Sequence, residues 1–226
     1  ASPTRTLTPT MPPPTGTPYP TATLVPTATR TSTRTARPTP TTMTYHETSE
    51  GVEFWTYGGN LNDNAVDVLL LEDGGMLLAG MANNPGPSHR ITTGNARLVR
   101  TDASGAIVWQ KDYGGEVDAA FEAVIRAGED AYVAVGTIAA SYERNETDIY
   151  LVKIDGAGNQ LWSQTFGGHG MDHGKRVIQT TDGGFVITGS TADSYVTGNL
   201  YQGNVILIKT DADGNELWTH TYGEKI

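Results

Sequence analysis

The segment Asp211-Ala212-Asp213-Gly214-Asn215-Glu216-Leu217-Trp218-Thr219-His220-Thr221-Tyr222-Gly223 is the clearest copy of a motif that occurs four times in this chain of 226 residues. Each copy has a turn ending in glycine, then a tryptophan, then an aromatic residue followed by glycine. The other three turns occupy residues 48–51, 102–105 and 155–158. The motif contains all four tryptophans, Trp55, Trp109, Trp162 and Trp218, at steps of 54, 53 and 56 residues. Self-similarity at a period of about 50 residues indicates a repeat architecture.

The turn of this motif has a defined backbone chemistry. An Asp at its first position is suited to accept a hydrogen bond from the backbone two residues on, and the glycine tolerates a positive φ. The flanking segments, 204–209 and 216–219, are rich in the β-branched and aromatic residues that strands favour. The motif therefore predicts a β-hairpin built on a type I turn followed by a glycine bulge.

Between successive motifs the sequence predicts two further strands joined by a tight turn. The second of them carries a lone glycine, at Gly80, Gly136 and Gly189, which indicates a bend or a close approach of another backbone segment. No segment has a sustained 3.6-residue periodicity, so we expect almost no helix. Four antiparallel strands in about 54 residues are typical of a β-propeller blade.

The predicted fold class is therefore all-β, with propeller-type blades of four antiparallel strands. A half-blade (41–59) is followed by three full blades (60–115, 116–168 and 169–226). Residues 1–40 precede them as an extended Thr/Pro-rich tail. Because the number of blades is not whole, the half-blade lacks its first two strands, and an unpaired sheet edge is a template for pairing with another chain.

The hairpin sequence also carries a family resemblance. Residues 151–162, Leu-Val-Lys-Ile-Asp-Gly-Ala-Gly-Asn-Gln-Leu-Trp, resemble the Asp-x-x-Gly-x-x-x-Trp hairpin of quinoprotein-like (PQQ-type) propeller repeats. The Gly-Gly pairs and Asp-Gly-Gly turns resemble repeats of large secreted bacterial and archaeal surface proteins. The resemblance covers residues 41–226 and implies blade architecture. No position matches the cofactor and calcium ligands of the quinoprotein enzymes, so we expect neither a cofactor nor enzymatic activity.

The tail and the body have opposite charge. Residues 1–40 contain ten of the 12 prolines, no Asp or Glu, and four arginines, Arg5, Arg30, Arg34 and Arg37. Removing this +4 from the net charge of −10 leaves −14 for residues 41–226. A Thr/Pro-rich composition is typical of an extended, O-glycosylated extracellular stalk. Residues 27–37, however, are free of proline and suited to add a strand to another subunit's sheet.

Composition excludes several classes of protein. The chain has no cysteine, so we expect neither disulfides nor thiolate metal sites. An acidic body lacks the basic footprint of a nucleic-acid partner. No run of 18 apolar residues occurs, so we expect no membrane insertion. A secretory signal is not recognisable; if the protein is secreted, it has been removed from this sequence.

Four groups of residues are candidate sites. His169, Asp172 and His173 have the chemistry of a zinc or copper loop, although Asp172 also fits the repeat pattern. Residues 211–215 resemble the start of a calcium loop but lack its later ligands, which favours a turn and leaves calcium as a candidate ion. The four tryptophans are expected to pack between blades, with a sugar-stacking platform as the alternative. Asn145 begins an Asn-x-Thr sequon and is a glycosylation candidate.

The leading hypothesis is a non-enzymatic structural protein of an extracellular filament or cell-surface appendage. The tail of one subunit would pack on the β-domain of the next, with Arg30, Arg34 and Arg37 meeting body carboxylates, so the main partner is the protein itself. One alternative is a stalked surface propeller that binds cell-surface glycans or a protein. A second alternative is a fragment of a larger propeller enzyme.

Overall fold

The computed structural model describes residues 43–49, 52–58, 62–84, 94–141, 146–193 and 203–223. The tail and Asn145, for which the sequence made predictions, lie outside these residues. The described part of the chain contains fourteen β-strands and no helix, so the expectation of almost no helix is confirmed there. Residues 39–226 belong to one compact unit.

The strands fall into a half-repeat and three full repeats. The half-repeat is β1 (Met43–Ser49) and β2 (Val52–Gly58); repeat 1 is β3 (Asn62–Leu70), β4 (Met76–Asn84), β5 (Asn95–Thr101) and β6 (Ile107–Tyr113); repeat 2 is β7 (Ala119–Arg126), β8 (Ala131–Ser141), β9 (Glu146–Asp155) and β10 (Gln160–Phe166); repeat 3 is β11 (Gly170–Gln179), β12 (Phe185–Asp193), β13 (Asn204–Thr210) and β14 (Glu216–Tyr222).

Within each repeat, consecutive strands are antiparallel neighbours. Repeats 2 and 3 are joined into one sheet by a single parallel pair between Met171 of β11 and Thr147 of β9. The predicted all-β fold with four antiparallel strands per repeat is thus confirmed. The described residues do not form a closed barrel or a closed propeller ring.

The lone glycine of each second strand faces a bulge in the first strand. The pairing shifts by one residue at Val66 in β3, at Glu122 in β7 and at Lys175 in β11. A β-carbon on the facing glycine would stand 1.9 Å from a carbonyl oxygen of the bulged strand, that of Asn64, Ala120 or His173. Gly80, Gly136 and Gly189 are therefore required by close backbone approach, as the sequence predicted.

The turns between the third and fourth strands have the predicted geometry. In repeat 1, Asp102 Oδ1 accepts hydrogen bonds from the backbone N–H groups of Ser104 (2.8 Å) and Ala106 (3.0 Å). Gly105, Gly158 and Gly214 have φ values of 91°, 75° and 83°. These hydrogen bonds favour the ionised carboxylate, which lowers the pKa of Asp102, most strongly through the Ser104 side chain.

The half-repeat departs from this pattern. Its ladder continues without a bulge from the pair Met43–Gly58 to the pair Ser49–Val52. Thr48, which aligns with the turn Asp of the other repeats, lies inside β1 and pairs with Glu53. A threonine hydroxyl bonds local backbone groups more weakly than a carboxylate does. The connection between β1 and β2 is therefore shorter than the four-residue turn, residues 48–51, that the sequence predicts.

Two apolar cores lie between consecutive repeats. On β8, Tyr132 and Ala134 point to the core shared with repeat 1, while Val133 and Val135 point to the core shared with repeat 3. Since side chains on a strand alternate between the two faces of a sheet, repeat 2 is buried on both sides. We call the face that bears the tryptophan of the fourth strand the front face and the opposite one the back face. The front face of each of the first two repeats packs on the back face of the next repeat.

Candidate functional site

The front face of repeat 1 is anchored to the turn of repeat 2. Trp109 Nε1 donates a hydrogen bond to Gly156 O (3.1 Å), and the Tyr113 hydroxyl donates one to Gly158 O (2.9 Å). A β-carbon on Gly158 would lie 3.0 Å from the Trp109 ring. Both acceptors are main-chain carbonyls, so the contact depends on the shape of the turn and not on its side chains.

The same contact recurs at the neighbouring junctions. The Tyr57 hydroxyl of the half-repeat donates to Gly105 O in the turn of repeat 1. The Trp162 ring of repeat 2 lies against Gly214, at 2.9 Å from the position of a β-carbon, and packs edge-on against Phe185 at 5.9 Å between ring centroids. Trp109 and Trp162 therefore lie between repeats. The side chain of Trp55 lies outside the described residues.

Repeat 3 presents the same front face to solvent. Tyr222 is 55% exposed, whereas the equivalent Tyr113 and Phe166 are 6% and 8% exposed. Trp218 is 38% exposed and lies beside His220, with 4.9 Å between ring centroids, and His220 lies 6.3 Å from Tyr222. Ile178 and Val205 extend this apolar surface. We call Ile178, Val205, Trp218, His220 and Tyr222 the open front face.

Repeat 1 has a matching exposed area on its back face. Val68 of β3 is 57% exposed, while the equivalent Val124 of β7 and Val177 of β11 are 4% and 3% exposed. Leu70, on the same side of β3, is 73% exposed. We call Val68 and Leu70 the open back face. It lies beside the half-repeat, in which the described residues form two strands instead of four.

A small cavity lies between the half-repeat and repeat 1. Its volume is about 100 Å³, and Tyr57, Leu78, Val99 and Gln110 are among its lining residues. Small-molecule sites have volumes of about 300–1,000 Å³. The cavity is therefore smaller than a typical ligand site and is better explained by incomplete packing between the half-repeat and repeat 1.

The structure places the three candidate metal ligands against different partners. Asp172 Oδ2 is buried and accepts a hydrogen bond from Gly168 N (3.0 Å). His169 Nδ1 lies 3.4 Å from Glu146 Oε1, whereas His173 Nδ1 lies 3.2 Å from Thr137 Oγ1. Burial lowers the pKa of His173, followed by repulsion from Lys175. Among the described residues, no group of three or more His, Asp or Glu side chains is arranged to hold a metal ion.

Asp148, next to this loop, lies close to two other acidic residues. Its pKa is raised, first by burial and then by the neighbouring carboxylates of Asp172 and Glu146. The equivalent positions in repeats 1 and 3, seven residues before the turn aspartate, are Asn95 and Asn204. The neutral side chain in the other repeats indicates that this position does not require a carboxylate.

The candidate calcium turn is closed by its own hydrogen bonds. Asp211 Oδ1 accepts from the backbone N–H groups of Asp213 (2.9 Å) and Asn215 (2.8 Å), and Oδ2 accepts from Asn215 Nδ2 (2.9 Å). The pKa of Asp211 is lowered, first by the Asn215 side chain. These hydrogen bonds stabilise the turn, so formation of the turn is enough to explain the Asp-x-x-Gly sequence.

Sequence analysis did not identify the charged residues that link the first strands. Lys175 Nζ lies 2.7 Å from Glu122 Oε1, and both residues are at bulge positions. Asp67 Oδ2 accepts from Val124 N (2.9 Å) and lies 3.7 Å from Arg176 Nη1. Glu122 and Lys175 are at equivalent positions of repeats 2 and 3, and Asp67 and Arg176 at equivalent positions of repeats 1 and 3. An alignment of the repeats therefore shows these opposite charges. The predicted assembly residues Arg30, Arg34 and Arg37 lie outside the described residues.

Comparisons with known proteins identify no family. No family model matches the chain, and the curated proteins include no match to its sequence. The described residues contain no helix long and apolar enough to span a membrane. The function must therefore be inferred from the geometry of the repeats.

Proposed function

We propose that this protein is a non-enzymatic structural subunit of an extracellular filament or cell-surface appendage. Its repeats act as propeller-type blades, and the tail of one subunit completes the half-repeat of the next. The observation that carries the proposal is the open back face, where Val68 is exposed although Val124 and Val177 are buried.

The arrangement of the repeats supports blade-type packing. β7 packs on β3 and β4 of the preceding repeat, and β11 packs on β7, β8 and β9. A propeller has this order, in which the first strand of every blade contacts the blade before it. In such an arrangement, Val68 and Leu70 lie where the half-repeat lacks its first two strands.

The occupant that we propose for this place is residues 27–37 of a neighbouring subunit. Eleven residues are enough for one strand, since the described strands have seven to eleven residues. Addition of a strand from another chain satisfies the backbone groups of a sheet edge, and alternate side chains then cover the apolar face. The segment carries Arg30, Arg34 and Arg37, which complement the charge of −14 on residues 41–226.

The test is to let the full chain assemble and to examine the products by electron microscopy and sedimentation. We expect the wild type to form filaments. The variants V68S/L70S and R30Q/R34Q/R37Q should remain as soluble subunits with unchanged circular dichroism. The control R5Q removes one tail charge outside residues 27–37 and should assemble normally. Filaments of wild-type appearance from a chain lacking residues 1–40 would show that the tail is not the donor.

A second candidate function is a stalked propeller that binds cell-surface glycans. The exposed row of Trp218, His220 and Tyr222 favours it, because sugars stack on exposed aromatic rings. This candidate predicts a monomer whose tryptophan fluorescence changes on addition of soluble cell-surface polysaccharide, with loss of the change in W218S. A monomer without such a response would exclude both candidates.

A further inference from the structure

We infer that the open front face of repeat 3 binds a proline-rich segment, residues 9–20, from the tail of a second copy of this chain. The inference rests on the proposed function in one respect, that the tail of one subunit contacts the body of another. It adds a second contact, made by a different part of the tail on a different repeat.

The front face of repeat 3 does not have the surface of a capping repeat. Repeats that close a stack present a polar outer face, which keeps the stack soluble. On repeat 3, by contrast, Ile178 and Val205 are 60% and 53% exposed, next to the exposed rings of Trp218 and Tyr222. An apolar and aromatic surface of this kind marks an interaction site.

The junction between repeats 1 and 2 shows which groups such a face binds. Trp109 Nε1 and the Tyr113 hydroxyl donate to two main-chain carbonyls, those of Gly156 and Gly158. The Trp109 ring also lies against the backbone of Gly158, where a β-carbon would be only 3.0 Å away. The face therefore binds backbone acceptors and a backbone surface without bulky side chains.

Repeat 3 has the same donors at the same spacing, in Trp218 and Tyr222. The described turns of a second copy do not suit them, because these turns are covered within their own chain by Tyr57, by Trp109 and Tyr113, and by Trp162. A segment whose backbone carbonyls are not used in a sheet is the other kind of partner that satisfies such donors.

Residues 9–20 have the chemistry that this face requires. They lie outside the described residues, and their sequence contains six prolines, including the run Pro12-Pro13-Pro14. Such a sequence favours polyproline II, in which no internal hydrogen bond occupies the carbonyls. Aromatic-lined surfaces are a recurring binding site for proline-rich segments, since these are already extended before they bind.

The lengths of the two sides match. Trp218 and Tyr222 are four positions apart on β14, which corresponds to about 13 Å along an extended strand. Five residues of polyproline II span about 12 Å, so a short part of the segment reaches both donors. His220 lies between them, with its ring centroid 4.9 Å from that of Trp218 and 6.3 Å from that of Tyr222. The aromatic row is therefore continuous over this length.

Charge separates this contact from the proposed donor strand. Residues 27–37 carry three arginines and suit an acidic surface, whereas residues 9–20 carry no charged side chain. The five residues of the open front face include no Asp, Glu, Lys or Arg. Lys209, which pairs with Trp218 across the strands, is engaged by Asp182 at 2.9 Å between Nζ and Oδ2. An uncharged segment is therefore the better match to this face.

The absence of cysteine allows a test on the full chain. The single variants T15C and V205C are mixed, treated with a short bismaleimide and digested, and the linked peptides are identified by mass spectrometry. A link between residues 15 and 205 joins two chains, because each chain has one thiol. We expect this link as a main product. The matched control L161C, 54% exposed against 53% for Val205 and outside the open front face, should give at least tenfold less link to T15C.

Three further variants separate this contact from the donor strand. P12S/P13S/P14S in the T15C chain and W218S/Y222S in the V205C chain should each reduce the link at least tenfold, with unchanged circular dichroism. R30Q/R34Q/R37Q in both chains should prevent filaments and still permit the link. Wild-type filaments from this arginine variant, with the link retained, would refute the proposed function and leave the present inference supported.

Four results would overturn the inference. Equal linking of L161C or of W218S/Y222S would show that the open front face is not the binding site. A link lost in the arginine variant but kept in P12S/P13S/P14S would assign it to the donor strand alone. Links between two V205C chains, with none to T15C, would show that the face binds itself. A missing link, with V205C protected from alkylation by soluble cell-surface polysaccharide, would assign the face to glycans.

Discussion

The front faces of repeats 1 and 3 carry the same tryptophan and tyrosine in opposite surroundings. Trp109 and Tyr113 bind a turn, Trp109 being partly buried and Tyr113 buried, whereas Trp218 and Tyr222 are 38% and 55% exposed. The back faces show the same contrast, since Val68 is exposed and its equivalents Val124 and Val177 are buried. The motif therefore encodes a surface that a neighbouring repeat can cover, and burial depends on whether that neighbour is present.

The largest difference that we expect between the two faces is in the free energy of unfolding lost by W109A and by W218A. Loss of a buried aromatic ring costs about 3 kcal/mol, while a surface substitution stays within about 0.5 kcal/mol. Because Trp109 is partly buried and bound to a turn while Trp218 is 38% exposed, we expect W109A to lower the free energy of unfolding by up to about 3 kcal/mol and W218A to lower it by less. Urea denaturation at low protein concentration measures both. Equal losses would mean that repeat 3 is covered within its own chain.

A smaller effect is expected at the receiving turn. Gly158 and Gly183 both have positive φ, 75° and 85°, but only Gly158 lies against a tryptophan ring. Alanine in the left-handed region costs about 1–2 kcal/mol, so G183A should lose about 1 kcal/mol. G158A should lose about 1 kcal/mol more, because its methyl group displaces the Trp109 ring. Identical thermal shifts for the two variants would contradict a tight turn-to-tryptophan contact.

Removal of one hydroxyl separates hydrogen bonding from ring packing. Y113F loses the bond to Gly158 O and should be destabilised by about 1 kcal/mol. Y222F removes a hydroxyl from an exposed ring and should have no measurable effect on unfolding. Paired urea titrations test the difference. A cost for Y222F as large as that for Y113F would show that Tyr222 has a partner inside the subunit.

The smallest expected effect is a gain in stability from D148N, which gives repeat 2 the residue of repeats 1 and 3. Because the folded-state pKa of Asp148 is raised, its ionisation weakens the folded state as the pH rises through that value. We expect D148N to raise the melting temperature by about 1–3 °C at pH 7, with a gain that shrinks as the pH falls toward the ordinary pKa of an Asp side chain, about 4. Melting curves across this pH range test the sign; a loss at pH 7 would mean that Asp148 makes a required bond.

Many local features could be predicted from the sequence because they depend on short-range chemistry. The hairpin turns at Asp102, Asp155 and Asp211 follow from a carboxylate that binds backbone N–H groups and a glycine with positive φ. The lone glycines Gly136 and Gly189 signalled a close approach of backbone, and the structure identifies the cause as a bulge in the adjacent strand.

Other features could not be predicted, since they depend on contacts between repeats. The pairs Lys175–Glu122 and Arg176–Asp67 join residues more than 50 positions apart, and nothing local to either residue indicates its partner. The short hairpin of the half-repeat was not predicted, because alignment of the four motifs places Thr48 at the turn position that aspartate occupies in the other repeats. Thr48 instead pairs with Glu53 in β1. Of the candidate metal ligands, Asp172 and His173 are neighbours on β11 and face opposite sides of the sheet, while His169 precedes the strand and lies against Glu146.

The sequence by itself determined the strands, the turns and the period of the repeat, because these arise from interactions within about 50 residues. Only the tertiary structure decided which tryptophan packs against a neighbouring turn, which valine is exposed and where an apolar surface remains open. Burial is a property of two surfaces in contact, and a motif that is repeated in the sequence cannot specify which of its copies lacks a neighbour.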